Sequence, residues 1–215
     1  MENKRTAAAG VLLKVDGISL LLDGVGREVK PYPATPSDLW ETLLQESVDG
    51  LLITHRHKDH YDATFVSEYV QKTAGPVIGP ADIPFTGQEP TKIGAVHILP
   101  VKSRHIGKPD PIEHMSFILQ GSKCIWFTGD ASPLQWAKEN NLPKPDVLIA
   151  PYAYAIGTGW QVTKELNPKT LVLLHLPKKE NDIAGLWDAV ERTLSLGEGP
   201  QILIPDIGET MTLAL

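Results

Sequence analysis

Cysteine is all but missing: Cys124 stands alone among 215 residues, which excludes an internal disulfide framework and agrees with a reducing compartment. Its surroundings, Ser122-Lys123-Cys124-Ile125-Trp126-Phe127, read as a strand, so the thiol is expected to serve as a small apolar core group. No apolar run approaches the roughly 18 residues that a membrane-spanning helix requires. The opening Met-Glu-Asn-Lys-Arg-Thr is not followed by the apolar segment of a secretory signal, so a cytoplasmic location is expected. Positive charge is in deficit, 20 Lys and Arg against 26 Asp and Glu, and the net charge of -6 speaks against a general electrostatic grip on nucleic acid or membrane. Internal repeats and low-complexity tracts are lacking, as are a Gly-x-Ser-x-Gly elbow and a Cys/His pair of the kind that activates a covalent nucleophile.

What the chain does have in number is turn formers. Eighteen Gly and 18 Pro suit many short strands better than a helical bundle, and the length fits one domain over 1–215. Asp16-Gly17, set between Val11-Leu12-Leu13-Lys14-Val15 and Ile18-Ser19-Leu20-Leu21-Leu22, predicts a type I′ hairpin, so that two antiparallel strands begin the protein. Thr35 as cap and Pro36 as first residue introduce an amphipathic helix carrying Leu39, Trp40, Leu43 and Leu44. Asp62 can cap a second helix bearing Phe65, Val66, Tyr69 and Val70, which Gly75-Pro76 ends. Further strands are expected at 76–79, 95–101, 115–120, 123–127, 147–150, 171–174, 201–204 and 210–213, and helices at 133–140, 158–166 and 183–194. An α+β pattern of this kind buries its apolar faces best as two packed sheets covered by helices.

One segment carries most of the chemical information. Thr54-His55-Arg56-His57-Lys58-Asp59-His60 follows the apolar run Gly50-Leu51-Leu52-Ile53, and four of its seven residues offer donors that suit zinc, manganese or iron. Three of the chain's 7 His fall within six positions, too dense for an ordinary solvated turn. Single polar residues also end later apolar runs: His105 after Leu99-Pro100-Val101, Asp130 after Trp126-Phe127-Thr128-Gly129, and His175 after Leu171-Val172-Leu173-Leu174. His114 lies between the cluster and Asp130 as well, and His105 is favoured over it as a donor because it ends a strand and leaves room for a loop.

The series His55-x-His57-x-Asp59-His60, His105, Thr128-Gly129-Asp130, His175 resembles the metallo-β-lactamase superfamily, in an order that spans most of the chain. The resemblance implies a four-layer αββα sandwich with a site along one edge of its two sheets. It further implies two divalent metal ions, zinc foremost and manganese or iron accepted, one held by His55, His57 and His105 and the other by Asp59, His60 and His175, with Asp130 between them. Leu20-Leu21-Leu22-Asp23-Gly24 is similar to the family's early Asp motif and makes Asp23 a carboxylate that orients the site.

Such a site implies hydrolysis by water activated between two cations, without a Ser or Cys nucleophile. Asp59 is then the expected group for handling the water's proton, and His114 a candidate donor to the leaving group. Gly129-Asp130 departs from the antibiotic-cleaving lactamases, whose pattern places Cys there. The expected partner is a small, anionic substrate such as a phosphodiester or sugar-phosphate lactone, met by Arg104, Lys178 and Tyr152 in a rim that also holds Arg56, Lys58, Lys102, Lys108 and Lys179. An RNA-processing nuclease, a mono-iron thiol or persulfide enzyme and a non-catalytic metal-stabilised domain are the alternatives.

Overall fold

The structure, a computed structural model, describes residues 1–107, 112–136 and 141–213. The first strand is one that no apolar alternation announces: β1 (Glu2–Arg5) precedes the hairpin and pairs antiparallel with β2 (Val11–Val15), which in turn pairs with β3 (Ile18–Leu22). Asp16 and Gly17 have φ of 48° and 80°, the double left-handed geometry of a type I′ turn. The chain then alternates through α1 (Ser37–Gln45), β4 (Gly50–Leu52), α2 (Ala63–Lys72), β5 (Val77–Ile78) and β6 (Thr86–Gly87), each new strand parallel to the last.

The second sheet opens with the antiparallel run β7 (Thr91–Ile93), β8 (Val96–Lys102), β9 (Met115–Gln120) and β10 (Cys124–Phe127). It continues in parallel through α3 (Pro133–Trp136), β11 (Val147–Pro151), α4 (Gly157–Leu166), β12 (Thr170–Leu174), α5 (Leu186–Leu194) and β13 (Gln201–Leu203). The last strand, β14 (Thr210–Thr212), returns to β1, giving two seven-stranded sheets ordered 14-1-2-3-4-5-6 and 13-12-11-10-9-8-7.

Three apolar layers hold these together. Leu20, Leu22, Phe117 and Phe127 pack between the sheets, Leu39, Leu43 and Phe65 seal the first sheet beneath α1 and α2, and Trp136, Trp160 and Val190 seal the second. The result is the four-layer αββα sandwich. No helix among the described residues is long and apolar enough to cross a membrane. Cys124 is half-buried on the helix side of β10, and burial pushes its thiol up.

Helix starts differ from expectation for local reasons. Pro36, not Thr35, occupies the cap of α1, because the Thr35 hydroxyl accepts the Gly26 N–H at 3.1 Å instead. The α5 helix begins at Leu186 rather than 183: the Asp182 carboxylate accepts the Leu186 and Trp187 N–H groups at 3.0 and 2.7 Å, and Ile183 is left 98% exposed. Of the helix expected over 133–140, residues 137–140 lie outside the described residues, as does Lys108.

Asn3 sits opposite Leu13 on the inter-sheet face, fully buried, and neither amide atom has a hydrogen-bond partner among the described residues. An unmet buried amide costs about 1–3 kcal/mol. Asn3→Leu is therefore expected to raise the melting temperature by about 2–6 °C in differential scanning calorimetry. A lower melting temperature would show that the amide is satisfied in solution.

Topology positions everything that follows. β3 and β4 run parallel, β8 and β10 run alike because each is antiparallel to β9, and β10 to β12 are parallel, so six strand ends reach one edge of the sandwich. The Met115 N–H donates to the Thr54 carbonyl at 2.8 Å and the His175 N–H to the Ala8 carbonyl at 3.0 Å, joining the two sheets at that edge.

Candidate metal centre

Asp23 follows β3 directly and is completely buried. Its φ of 44° turns the side chain back over β4, where it accepts the Thr54 N–H at 2.7 Å, the Thr54 hydroxyl at 2.5 Å and the His60 Nδ1–H at 2.8 Å. Because the Thr54 hydroxyl donates to Asp23, it must accept from His55 Nδ1, 2.9 Å away. A single carboxylate thereby fixes two imidazoles and turns Nε2 of each toward the site. Thr54 and this proton order are invisible in the sequence.

The remaining donors are placed by backbone. His60 N–H and Tyr61 N–H both bond the His57 carbonyl at 2.9 Å, closing a turn that carries His57, Asp59 and His60 into the Asp62-capped α2. His105 follows β8 and forms a bridge with Ala131, while Ile106 N–H donates to the Asp130 carbonyl at 2.8 Å. Its Nδ1 donates to the Ile106 carbonyl at 2.6 Å, so its Nε2 is bare. Gly129 has φ of 50°, and a Cβ there would stand 2.5 Å from the Thr54 side chain; glycine is what lets the Asp130 loop close on β4. His175 ends β12 with φ of 58°, a costly conformation held by the Ala8 carbonyl and by the Tyr32 hydroxyl, which donates to the His175 carbonyl at 3.2 Å.

These constraints bring the donors together in two groups. His55, His57 and His105 have ligand atoms within 4.8 Å of one another, and so have Asp59, His60 and His175. Asp130 stands between them: its Oδ2 is 3.7 Å from His105 Nε2 on one side and 3.5 and 3.4 Å from His60 Nε2 and His175 Nε2 on the other. A third group, Asp23 with His55 and His60, is equally tight, but the Asp23 oxygens already receive three hydrogen bonds.

Buried orphan atoms test whether cations suit this place. Among the described residues, His60 Nε2, His105 Nε2, His114 Nε2, both ring nitrogens of His175 and Asp130 Oδ1 have no hydrogen-bond partner. Buried lone pairs of this number would be costly in an ordinary core, whereas converging imidazole and carboxylate donors form a site for zinc, iron or manganese. The donor set fits metal ions.

Electrostatics without cations follow the same geometry. Burial raises Asp130, but the charges of His175 and His60 outweigh it and hold the carboxyl well below the usual range. Burial likewise works to raise Asp59, and His175 and His60 reverse the sign. His60 is depressed by burial yet ends well above its ordinary value, because Asp130 on one nitrogen and Asp23 on the other favour the imidazolium. With its pKa raised, the ring keeps its proton at pH 7, so a cation must displace it. Apparent metal affinity is expected to climb as pH rises through and above about 6.5, and titration calorimetry in buffers of different ionisation enthalpy should detect release of a proton at pH 7. Binding with no proton release would contradict this arrangement.

Several expected roles are redistributed. His114, 2% exposed, is absent from both donor groups. Ser116 donates to the Thr128 carbonyl at 2.8 Å, so the Ser103 hydroxyl donates to Ser116 at 2.9 Å and must accept from His114 Nδ1 at 2.7 Å. Burial pushes His114 down to about 3, and the one proton of the neutral ring is committed to Ser103. Arg104 and Lys178 are exposed, one position before His105 and three after His175. Arg56 pairs with Asp82 at 3.1 Å and Lys179 with Glu191 at 2.5 Å, so two cations of the expected rim are already balanced.

In the aromatic loop after β11, Tyr154 is wholly buried, its hydroxyl taking the Trp136 Nε1–H at 2.6 Å and donating to the Ala131 carbonyl, while Tyr152 stays half-buried within range of the Asp130 charge. Tyr32, which nothing in Lys30-Pro31-Tyr32-Pro33 singles out, meets the His175 ring edge-on at 4.2 Å. Burial, and then the nearness of Tyr152, Asp130 and Asp59, raises its phenol, which stays protonated beside the site.

A family profile described as a beta-lactamase superfamily domain matches residues 6–175. A search of curated proteins finds no match. Among solved structures, the chain is similar to Igni18, a metallo hydrolase from the hyperthermophilic archaeon Ignicoccus hospitalis, at 20% identity and a TM-score of 0.72 over 100% of this chain and 98% of that one. An isothiocyanate hydrolase from Delia radicum gut bacteria shares 17% identity with a TM-score of 0.66, covering 100% and 99% of the two chains. CmlA, a diiron β-hydroxylase from Streptomyces venezuelae, shares 15% identity with a TM-score of 0.66, over 99% of this chain and 54% of that one. At these identities the likeness is one of fold.

Proposed function

Because the chain belongs to the beta-lactamase superfamily, in its metallo-β-lactamase fold, we propose that it is a metal-dependent hydrolase acting on a small molecule at a two-ion centre. The observation that carries this reading is the pair of donor triads sharing Asp130. His55, His57 and His105 would hold one ion, Asp59, His60 and His175 the other, with zinc the first choice of metal. Bound there, two divalent cations supply Lewis acidity that polarises the bond to be cleaved and acidifies water.

The chain's own groups then divide the remaining work. Asp59, held below its ordinary pKa and 3.2 Å from His175 Nε2, is an ionised acceptor able to orient water and take its proton. Asp23 and Thr54 keep His55 and His60 in one tautomer and one orientation, so the donors need no rearrangement when a cation enters. Tyr152, a half-buried protonated phenol near the Asp130 charge, is a candidate proton donor to the leaving group.

Metal analysis of the purified protein beside turnover of p-nitrophenyl esters, lactones and phosphodiesters tests the proposal. Close to two zinc per chain with metal-dependent hydrolysis of one substrate class is the expected result. Full loading without turnover of any class would favour the non-catalytic alternative, and iron with oxygen uptake would favour an oxidative one.

A further inference from the structure

A cleft of ≈ 670 Å³ opens next to the metal centre without containing any of its ligands. The two share chain segments: Tyr32 and His175 touch at the centre, and the residues that follow them, Pro33 and Leu176, line the cleft. We propose that this cleft binds an amphipathic monoanion, an apolar body of drug size bearing one carboxylate, sulfonate or phosphate group, and that it receives the non-reacting part of the substrate.

Its size lies within the roughly 300–1,000 Å³ typical of small-molecule sites. Pro33, Pro36, Pro177 and Pro205 stand in its walls, and fixed backbone lowers the entropy lost when a ligand is immobilised. Trp187 is fixed as well, its Nε1–H donating to the Pro177 carbonyl at 2.7 Å, and Ile204 and Ile207 add half-buried apolar surface.

The sign of the preferred charge comes from two cations, Arg5 in the wall and Lys178 at the mouth. Arg5 is 6% exposed, and its guanidinium donates to the carbonyls of Ala7, Pro205, Ala8 and Leu176, with no carboxylate in ion-pair range among the described residues. Those four bonds use four of five N–H donors. Asp206 and Glu180 also line the cleft, but both are exposed and screened by water, whereas the Arg5 charge acts through a less polarisable medium. Lys179 is taken up by Glu191 and by the Trp187 ring, 4.9 Å below it. Lys178, exposed and without an ion pair among the described residues, is the cation at the mouth.

The probe pair 1-anilinonaphthalene-8-sulfonate and N-phenyl-1-naphthylamine, the same body without the sulfonate, separates shape from charge. One sulfonate probe per chain is expected, bound at least about tenfold more tightly than the neutral one. Lys178→Glu should remove most of that difference, and Ala34→Trp, at an exposed position on the cleft wall, should weaken both probes with the circular dichroism unchanged. Equal binding of either probe to wild type and Ala34→Trp would overturn the proposal, as would a Lys178→Glu protein that still prefers the sulfonate.

The link to substrate rests on the hydrolase reading and has its own readout. The kcat/KM ratio of p-nitrophenyl octanoate to acetate should fall at least about fivefold in Ala34→Trp. An unchanged ratio would overturn the link, whereas probe binding with no ester turned over would sink the ester-hydrolase reading and leave the cleft as a ligand site.

Discussion

Asp130→Ala is expected to bind fewer than two ions and to lose hydrolysis by about 10³- to 10⁴-fold, since cation stabilisation of a transition state is worth several kcal/mol at 1.36 kcal/mol per decade. The reason is positional. One oxygen of this carboxylate lies 3.4 to 3.7 Å from nitrogens of both donor triads, so no other residue can compensate for its loss. Removing it also leaves Asp59, 3.9 Å from His60 Nε2 and 3.2 Å from His175 Nε2, as the carboxylate facing both rings. Metal content by mass spectrometry, read against turnover on the best substrate found, checks both halves. A variant that retains both ions would show that the two triads load independently, and Asp130 would lose its bridging role.

Asp23→Ala is expected to cost about 3–5 kcal/mol of folding stability, the range for deleting one partner of a buried charged network. It should lower the melting temperature of the metal-free protein by about 10 °C at a chain of this size. Three donors converge on this buried carboxylate, and without it the Thr54 N–H, the Thr54 hydroxyl and the His60 Nδ1–H are left unmet in a space closed to water. Metal affinity should fall about 10- to 100-fold as well, because the tautomers of His55 and His60 are no longer imposed. Urea unfolding with and without zinc separates the two effects. A variant as stable as wild type would show that the loop after β4 is held by packing alone.

How far the site could be read in advance depended on how local its causes were. His55, His57, Asp59 and His60 lie in one loop behind one buried strand, so density alone exposes them. His105, Asp130 and His175 are single residues at strand ends, and each is unremarkable until the resemblance orders them. Their meeting depends on sheet order: β8, β10 and β12 are separated by β9 and β11, and only strand direction brings their ends to one edge. Tyr32 leaves no local trace, because its contact with His175 closes a separation of 143 residues. The polar β1 strand is legible only through its partners β2 and β14.

The setting of His114 has a physical cause that residue type cannot show. An imidazole near a reactive centre is a proton donor only if water or a charge stabilises its protonated form, and here burial and the hydrogen-bond order from Ser116 through Ser103 leave it neutral. Ile183 shows the same limit in the helical pattern, where the Asp182 cap shifts the start of α5 past it.

Amino-acid order by itself determined the hairpin at Asp16-Gly17, the alternation of strands and helices behind a two-sheet sandwich, and the identity of the atoms able to hold a cation, because each follows from turn chemistry, apolar period or donor type within a few residues. Tertiary structure alone decided which nitrogen of the His55 ring is bare, that burial lowers His114, and that a cleft with Arg5 buried in its wall lies beside the centre. Those properties are set by distances between segments far apart in the chain, and proton position, local dielectric and cavity shape come into being only when the sheets close on one another.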